Sequence, residues 1–189
     1  ADGPLRVTHV GGAGLTLARW VNHVRDGSPQ IVLEPDAALT DAVRRELPLP
    51  RGHRIRVRPV DGLTGVAALR DASADVVVLD AYADGQVPAE LGTVEWFAEL
   101  RRVLAPGGLV LANVADEPGM RYAARVAAGA REALGHVAFV GLHEVLKGKR
   151  FGAVDGSLWT STGGPQAALK VIDDVEQLLT KPDAAPIAH

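Results

Sequence analysis

Acidic or amide side chains recur where apolar runs of this chain give way to glycine or turn residues: Glu34, Asp61, Asp80, Asp84, Asn113 and Asp116. Ahead of them runs Val7-Thr8-His9-Val10-Gly11-Gly12-Ala13-Gly14, an apolar stretch that breaks into a glycine turn before a helical pattern. The next apolar run, Ile31-Val32-Leu33, ends in Glu34. Glycines in such a turn let backbone approach a ligand, and an acid about 20 residues on accepts hydrogen bonds from ribose hydroxyls. Gly11, Gly12, Gly14 and Glu34 are therefore candidate nucleoside contacts, and Asp61-Gly62 would be delivered beside the purine by a third strand. Asp61 also precedes a helical segment, so a helix N-cap competes for it. Asp80 closes Val76-Val77-Val78-Leu79 and is expected at the rim of the core, partly buried. There it could deprotonate an amine or hydroxyl nucleophile or hold an ammonium group, unless it only shapes a turn. Asp84, in a loop with Gly85, is a further site candidate unless it is simply a solvated loop acid. Together these groups suit a ligand rich in donors and suit a phosphate poorly.

The positioning elements follow from an alternation of apolar runs and amphipathic segments, the pattern of a parallel sheet covered by helices. Strands are expected at 5–10, 30–34, 54–58, 75–80 and 108–114, each nearly continuous in apolar character. Helices are expected at 14–25, 36–47, 62–70, 89–104 and 118–134, with Asp36 as an N-cap and Gly135 as a C-terminal stop. Ala105-Pro106-Gly107-Gly108 reads as a turn. His136 to Leu146 and Phe151 to Ser161 read as an antiparallel pair, which would complete a seven-stranded, mostly parallel sheet with an antiparallel last strand. A helix near 165–180 and a fraying tail close the chain, read as one α/β nucleoside-binding domain over 1–189.

Composition removes several function classes. Of 189 residues 47% are hydrophobic, and the formal charge is -3. Such a charge gives no field for nucleic acid or an anionic membrane, and no apolar stretch approaches the roughly 20 residues of a membrane span. With no cysteine there is no disulfide framework, and a reducing cytoplasm is the default compartment. Ala1-Asp2-Gly3-Pro4 has neither an initiator Met nor signal architecture, so the natural protein is not taken to start there. Leu17 stands where a dinucleotide fingerprint wants Gly or Ala, which weakens NAD. No P-loop and no G-x-S-x-G occur, and the histidines show no metal-ligand spacing with acids, so no metal site is expected. His9 reads as a core histidine, and Trp20, Trp96 and Trp159 as packing residues.

Val10-Gly11-Gly12-Ala13-Gly14, Leu33-Glu34-Pro35-Asp36, Val60-Asp61-Gly62 and Val76-Val77-Val78-Leu79-Asp80 together resemble the polyamine aminopropyltransferases, specifically the spermidine synthases. The resemblance continues through Val87-Pro88-Ala89-Glu90-Leu91 and Glu95-Trp96-Phe97 to Leu104-Ala105-Pro106-Gly107-Gly108-Leu109. It implies a Rossmann-like class I methyltransferase fold with helices on both faces of the sheet. It also implies transfer of an aminopropyl group from decarboxylated S-adenosylmethionine, a co-substrate rather than a permanently bound cofactor, to a polyamine or other amine. By similarity Glu34 would hold the ribose, Asp61 would contact adenine, and Asp80 would orient and deprotonate the attacking amine. Asp84 would stand for the second acid of the family's active-site loop, displaced by one residue. The family's aspartate after the glycine turn is replaced here by Gly14-Leu15-Thr16, and its N-terminal β-hairpin domain has no counterpart in 1–189. An S-adenosylmethionine-dependent methyltransferase and a non-catalytic nucleoside-binding domain are the alternatives, and a homodimer is left open.

Overall fold

Four runs of branched and apolar residues form the parallel heart of the sheet in the computed structural model, which describes residues 3–83, 87–116, 120–138, 152–154 and 160–161. They are β1 (Val7–Val10), β2 (Gln30–Leu33), β3 (Ile55–Arg58) and β4 (Ala74–Leu79), joined by β5 (Leu104–Ala112). The order is β3-β2-β1-β4-β5-β8, in which the first five strands are parallel and the short β8 (Thr160–Ser161) lies antiparallel to β5. β6 (Val114–Asp116) and β7 (Gly152–Val154) form a separate antiparallel pair. The described residues thus give six strands in the main sheet, which corrects the expected seven. Of the antiparallel pair expected at 136–146 and 151–161, residues 139–146, 151 and 155–159 lie outside the described residues, as does the helix expected near 165–180, while 152–154 and 160–161 pair with β6 and β5.

Period-two alternation divides the side chains between two faces. On one, Val10, Leu33, Val77, Leu79, Val110 and Ala112 pack against three helices, α3 (Gly62–Ala67), α4 (Val94–Val103) and α5 (Arg121–Leu134). Trp96 and Phe97 of α4 are fully buried there. Truncating a side chain such as Phe97 would cost about 3–5 kcal/mol through lost transfer energy and the cavity left behind. On the other face Leu15, Ala18, Val32 and Ile55 pack with Val43, between α1 (Thr16–Val24) and α2 (Ala37–Glu46). Helices on both faces therefore hold. His9 is buried, with Nε2 2.8 Å from Gln30 Oε1, as a satisfied core histidine should be. Trp20 is 36% exposed, so packing covers only part of it, and Trp159 lies outside the described residues.

Several boundaries move for local reasons. Asp36 caps α2 as expected, its Oδ1 accepting from Leu39 N at 2.8 Å. The single helix expected at 89–104 is split: a 3-10 turn, Ala89–Gly92, precedes α4, whose N-cap Thr93 accepts from Trp96 N at 3.2 Å. The expected turn at 105–108 is absorbed into β5 as a bulge. Leu104 pairs with Ala74 and Leu109 with Val76, and the residues between them carry the register shift. β3 is not a continuous apolar run. Its arginines alternate with Ile55 and Val57, as on an edge strand with one face buried. No helix among the described residues is long and apolar enough to cross a membrane.

Candidate active site

The glycine turn is shaped by two close approaches. Gly11 has φ +88°, and a Cβ there would lie 2.3 Å from the carbonyl oxygen of Asp80. Only glycine lets the turn pass this close to the carboxyl end of β4. A Cβ on Gly12 would lie 2.2 Å from Val32 Cγ1. Downstream, Ala13 and Leu15 adopt φ of 33° and 59°, a left-handed conformation that costs a non-glycine residue roughly 1–2 kcal/mol. Burial of Leu15 against Val32 and its N–H bond to the Gly12 carbonyl, 2.6 Å, offset that cost. Gly14 differs: its added Cβ would meet only Thr16 Oγ1, at 3.6 Å, and it does not line the cleft described next.

Glu34 holds the turn in place. Its Oε2 accepts from the backbone N–H of Gly12 at 3.0 Å and of Ala13 at 2.9 Å, and Oε1 accepts from Asp36 N at 3.0 Å. A carboxylate offers about four acceptor positions, so Oε1 keeps one for an incoming hydroxyl. Glu34 is only 8% exposed, and its three backbone donors come from two segments, the turn after β1 and the start of α2.

A cleft of about 760 Å³ opens at the carboxyl ends of the strands, bringing together Gly11, Gly12, Glu34, Asp61, Gly62 and Asp80. Gly62 must be small, since its Cβ would sit 2.6 Å from Val10 Cγ1. Asp61 is the N-cap of α3. Its Oδ1 accepts from Thr64 N at 2.9 Å, and that bond holds its carboxyl below the usual range. Asp80 is exposed rather than partly buried, because the chain leaves the sheet immediately after Leu79. Its Oδ1 accepts from Asn113 Nδ2 at 3.1 Å, which fixes the carboxylate's orientation across neighbouring strand ends. Asp84 lies outside the described residues.

Sequence reasoning missed part of the lining. Leu39 and Leu63, 38% and 43% exposed, stand in the first turns of α2 and α3 and give the cleft apolar walls. Tyr82 and Glu90 also line it. The signal for the leucines was apolar residues two or three positions after a capping Asp, where helix patterning alone would favour a polar side chain. Among the described lining residues the carboxylates are Glu34, Asp36, Asp61, Asp80 and Glu90, and none is Arg, Lys or His.

A parallel sheet with its ligand cleft at the carboxyl ends, a glycine turn after β1 and an acid closing β2 define a Rossmann-like, methyltransferase-type fold. The comparisons narrow this. No protein-family model matches the chain. A relative described as a probable polyamine aminopropyl transferase, from Bifidobacterium longum (strain NCC 2705), is 33% identical over 82 residues, 43% of this chain and 18% of that protein. The crystal structure of a probable spermidine synthase from Corynebacterium glutamicum ATCC 13032 matches with TM-score 0.82 and 33% identity, over 96% of this chain and 64% of that one. Human methyltransferase-like protein 13 in complex with SAH matches with TM-score 0.72 at 18% identity, over 98% of this chain and 86% of that one, a likeness of fold. The chain carries a spermidine synthase-like, methyltransferase-fold core, and it covers less than two thirds of the length of either spermidine synthase-type relative.

Proposed function

We propose that this chain is the donor-binding and catalytic core of an aminopropyltransferase that uses decarboxylated S-adenosylmethionine and an amine acceptor of the polyamine type. The observation that carries the reading is the charge of the cleft: five carboxylates and no basic side chain among its described lining residues. A sulfonium donor bearing a free ammonium, and an ammonium-rich acceptor, are the substrates such a field attracts. The purine would lie between Leu39 and Leu63 near Asp61, and one ribose hydroxyl would reach the open position on Glu34 Oε1. The acceptor's neutral amine attacks the carbon next to sulfur, the C–S bond breaks with its electrons to sulfur, and methylthioadenosine leaves as a neutral thioether. The proton released from nitrogen passes to Asp80, whose Oδ1 is already oriented by Asn113. Proximity and alignment supply most of the rate, with base assistance added to it. Asp84 would add a second acid at the acceptor side.

The methyltransferase alternative needs donors for the α-carboxylate of S-adenosylmethionine. The glycine-turn amides of Gly12 and Ala13, which could have served, are engaged by Glu34. Calorimetry with decarboxylated S-adenosylmethionine, S-adenosylmethionine and methylthioadenosine tests the assignment. The decarboxylated donor should bind at least about tenfold more tightly than S-adenosylmethionine, the worth of one charge-assisted contact. The opposite order would make the protein a methyltransferase, and no binding of any of the three would remove both enzymatic readings.

A further inference from the structure

The edge strand β3 carries a second feature with no part in the acidic cleft. Arg54, Arg56 and Arg58 alternate with Ile55 and Val57, which pack with Leu15 and Val32 on the α1–α2 side. The arginines therefore stand on the opposite face, the one α3 covers. But α3 ends at Ala67. Beyond its end a cleft of about 780 Å³ opens between β1–β3 and the segment 68–73.

Arg6, Arg54, Arg56, Arg58, Arg70 and His53 all line this cleft, and among the described residues no Asp or Glu does. Arg6 is neutralised by Asp75, at 2.5 Å. Arg54 donates to the Gly27 carbonyl at 3.3 Å. Arg56, Arg58 and Arg70 have no carboxylate partner among the described residues. Charged side chains on an edge strand guard against strand addition, and charges of mixed sign would serve that purpose equally well. Four unneutralised guanidiniums of one sign around one cavity instead repel each other, in a chain whose overall charge is -3. An anion in the cavity removes that repulsion. The volume falls in the range of small-ligand sites, and the guanidinium fork matches the paired oxygens of phosphate. The negative overall charge disfavours an extended nucleic acid.

We propose that this arginine-lined cleft is a binding site for a small polyphosphate-bearing ligand, separated by α3 from the acidic cleft. The test is calorimetric titration of the chain with sodium tripolyphosphate in low-salt buffer, with ADP and ATP as parallel arms. One saturable site is expected, weakened by added NaCl as a partly exposed ionic contact must be. The Arg56→Gln/Arg58→Gln variant should lose about tenfold or more in affinity, and Arg70→Gln, on a loop outside the sheet, about tenfold, with an unchanged melting temperature for the latter. Tighter binding of ADP or ATP than of tripolyphosphate would identify the ligand as a nucleotide, and equal or weaker binding as a free phosphate chain; either supports the site. No binding at millimolar tripolyphosphate, ADP or ATP, or affinities unchanged in the double variant and in Arg70→Gln, would overturn it. So would a single-stranded oligonucleotide that binds more tightly than any of the three with a footprint larger than the cleft.

Discussion

Glu34→Gln tests whether one carboxylate both builds the glycine turn and binds the nucleoside. The native side chain accepts three backbone N–H groups, two on Oε2 and one on Oε1, at 2.9–3.0 Å. Gln has one acceptor oxygen. If that oxygen faces Gly12 and Ala13, the amide NH2 meets the Asp36 N–H, donor against donor. If it faces Asp36, two N–H groups lose their acceptor. In the milder arrangement one bond to a charged group disappears and the others lose their ionic character, a cost of about 2–3 kcal/mol at a site this buried. For a chain of 189 residues that corresponds to a drop in Tm of roughly 4–12 °C. The open acceptor position on Oε1 vanishes as well, so methylthioadenosine should bind about tenfold to a hundredfold more weakly. Thermal denaturation followed by circular dichroism reads the first effect, and calorimetry the second. A Glu34→Gln protein with unchanged Tm and unchanged affinity would refute the dual role. A lowered Tm with native affinity would leave Glu34 a purely structural brace.

Asp80→Asn should lower kcat by about 10²–10⁴-fold, the usual worth of a positioned general base, while methylthioadenosine affinity stays within a few-fold; equal turnover in steady-state assays would remove Asp80 from the chemistry. Gly11→Ala must adopt φ +88° and place a methyl 2.3 Å from the Asp80 carbonyl oxygen, so it should lose more than about 3 kcal/mol in denaturant titrations. Gly14→Ala, whose methyl would make only an ordinary contact with Thr16 Oγ1 at 3.6 Å, should stay within about 0.5 kcal/mol, and equal costs at the two positions would contradict the turn geometry. Burial pushes His9 below its ordinary 6.5, against a smaller upward pull from Gln30, so the folded protein holds it neutral. As pH falls below that value the unfolded chain takes up the proton first, and stability declines until the folded-state pKa is reached. His9→Gln should flatten this acid limb in urea unfolding followed across pH 4–8; a limb of the same slope would place its origin elsewhere.

What was legible in the sequence is what local chemistry dictates. Gly11 and Glu34 stand at the ends of adjacent strands because each apolar run stops where its pattern stops, and Asp36 caps α2 because a short acceptor precedes a helical stretch. Contacts between segments were not legible. Nothing local shows that Glu34 would turn its carboxylate onto the Gly12 and Ala13 amides, since that depends on β1 and β2 lying side by side in register. Ala105-Pro106-Gly107-Gly108 has turn chemistry, yet Leu104 pairs with Ala74 before it, so the same residues bulge within β5. Asp61 had two readings, and the structure shows the cap while leaving the residue on the cleft wall.

Charge shows the same limit in a form that bears on function. A net charge of -3 describes a chain with no field, and it would argue against any strongly anionic or cationic ligand. The fold separates what the sum conceals. Carboxylates gather in the cleft at the carboxyl ends of the strands, while arginines gather along β3 and beyond the end of α3. Sequence supplies the separation in two different ways. Glu34 and Asp36 follow β2, Asp61 follows β3, Asp80 closes β4 and Glu90 lies in the 3-10 turn, and only a parallel sheet gathers these separate segments. Three of the arginines arrive by strand alternation within five residues, and only the edge position of β3 and the shortness of α3 leave them facing a cavity. Opposite fields at the two ends of one six-residue helix would let the proposed cationic donor and the proposed phosphate-bearing ligand bind without competing for the same surface.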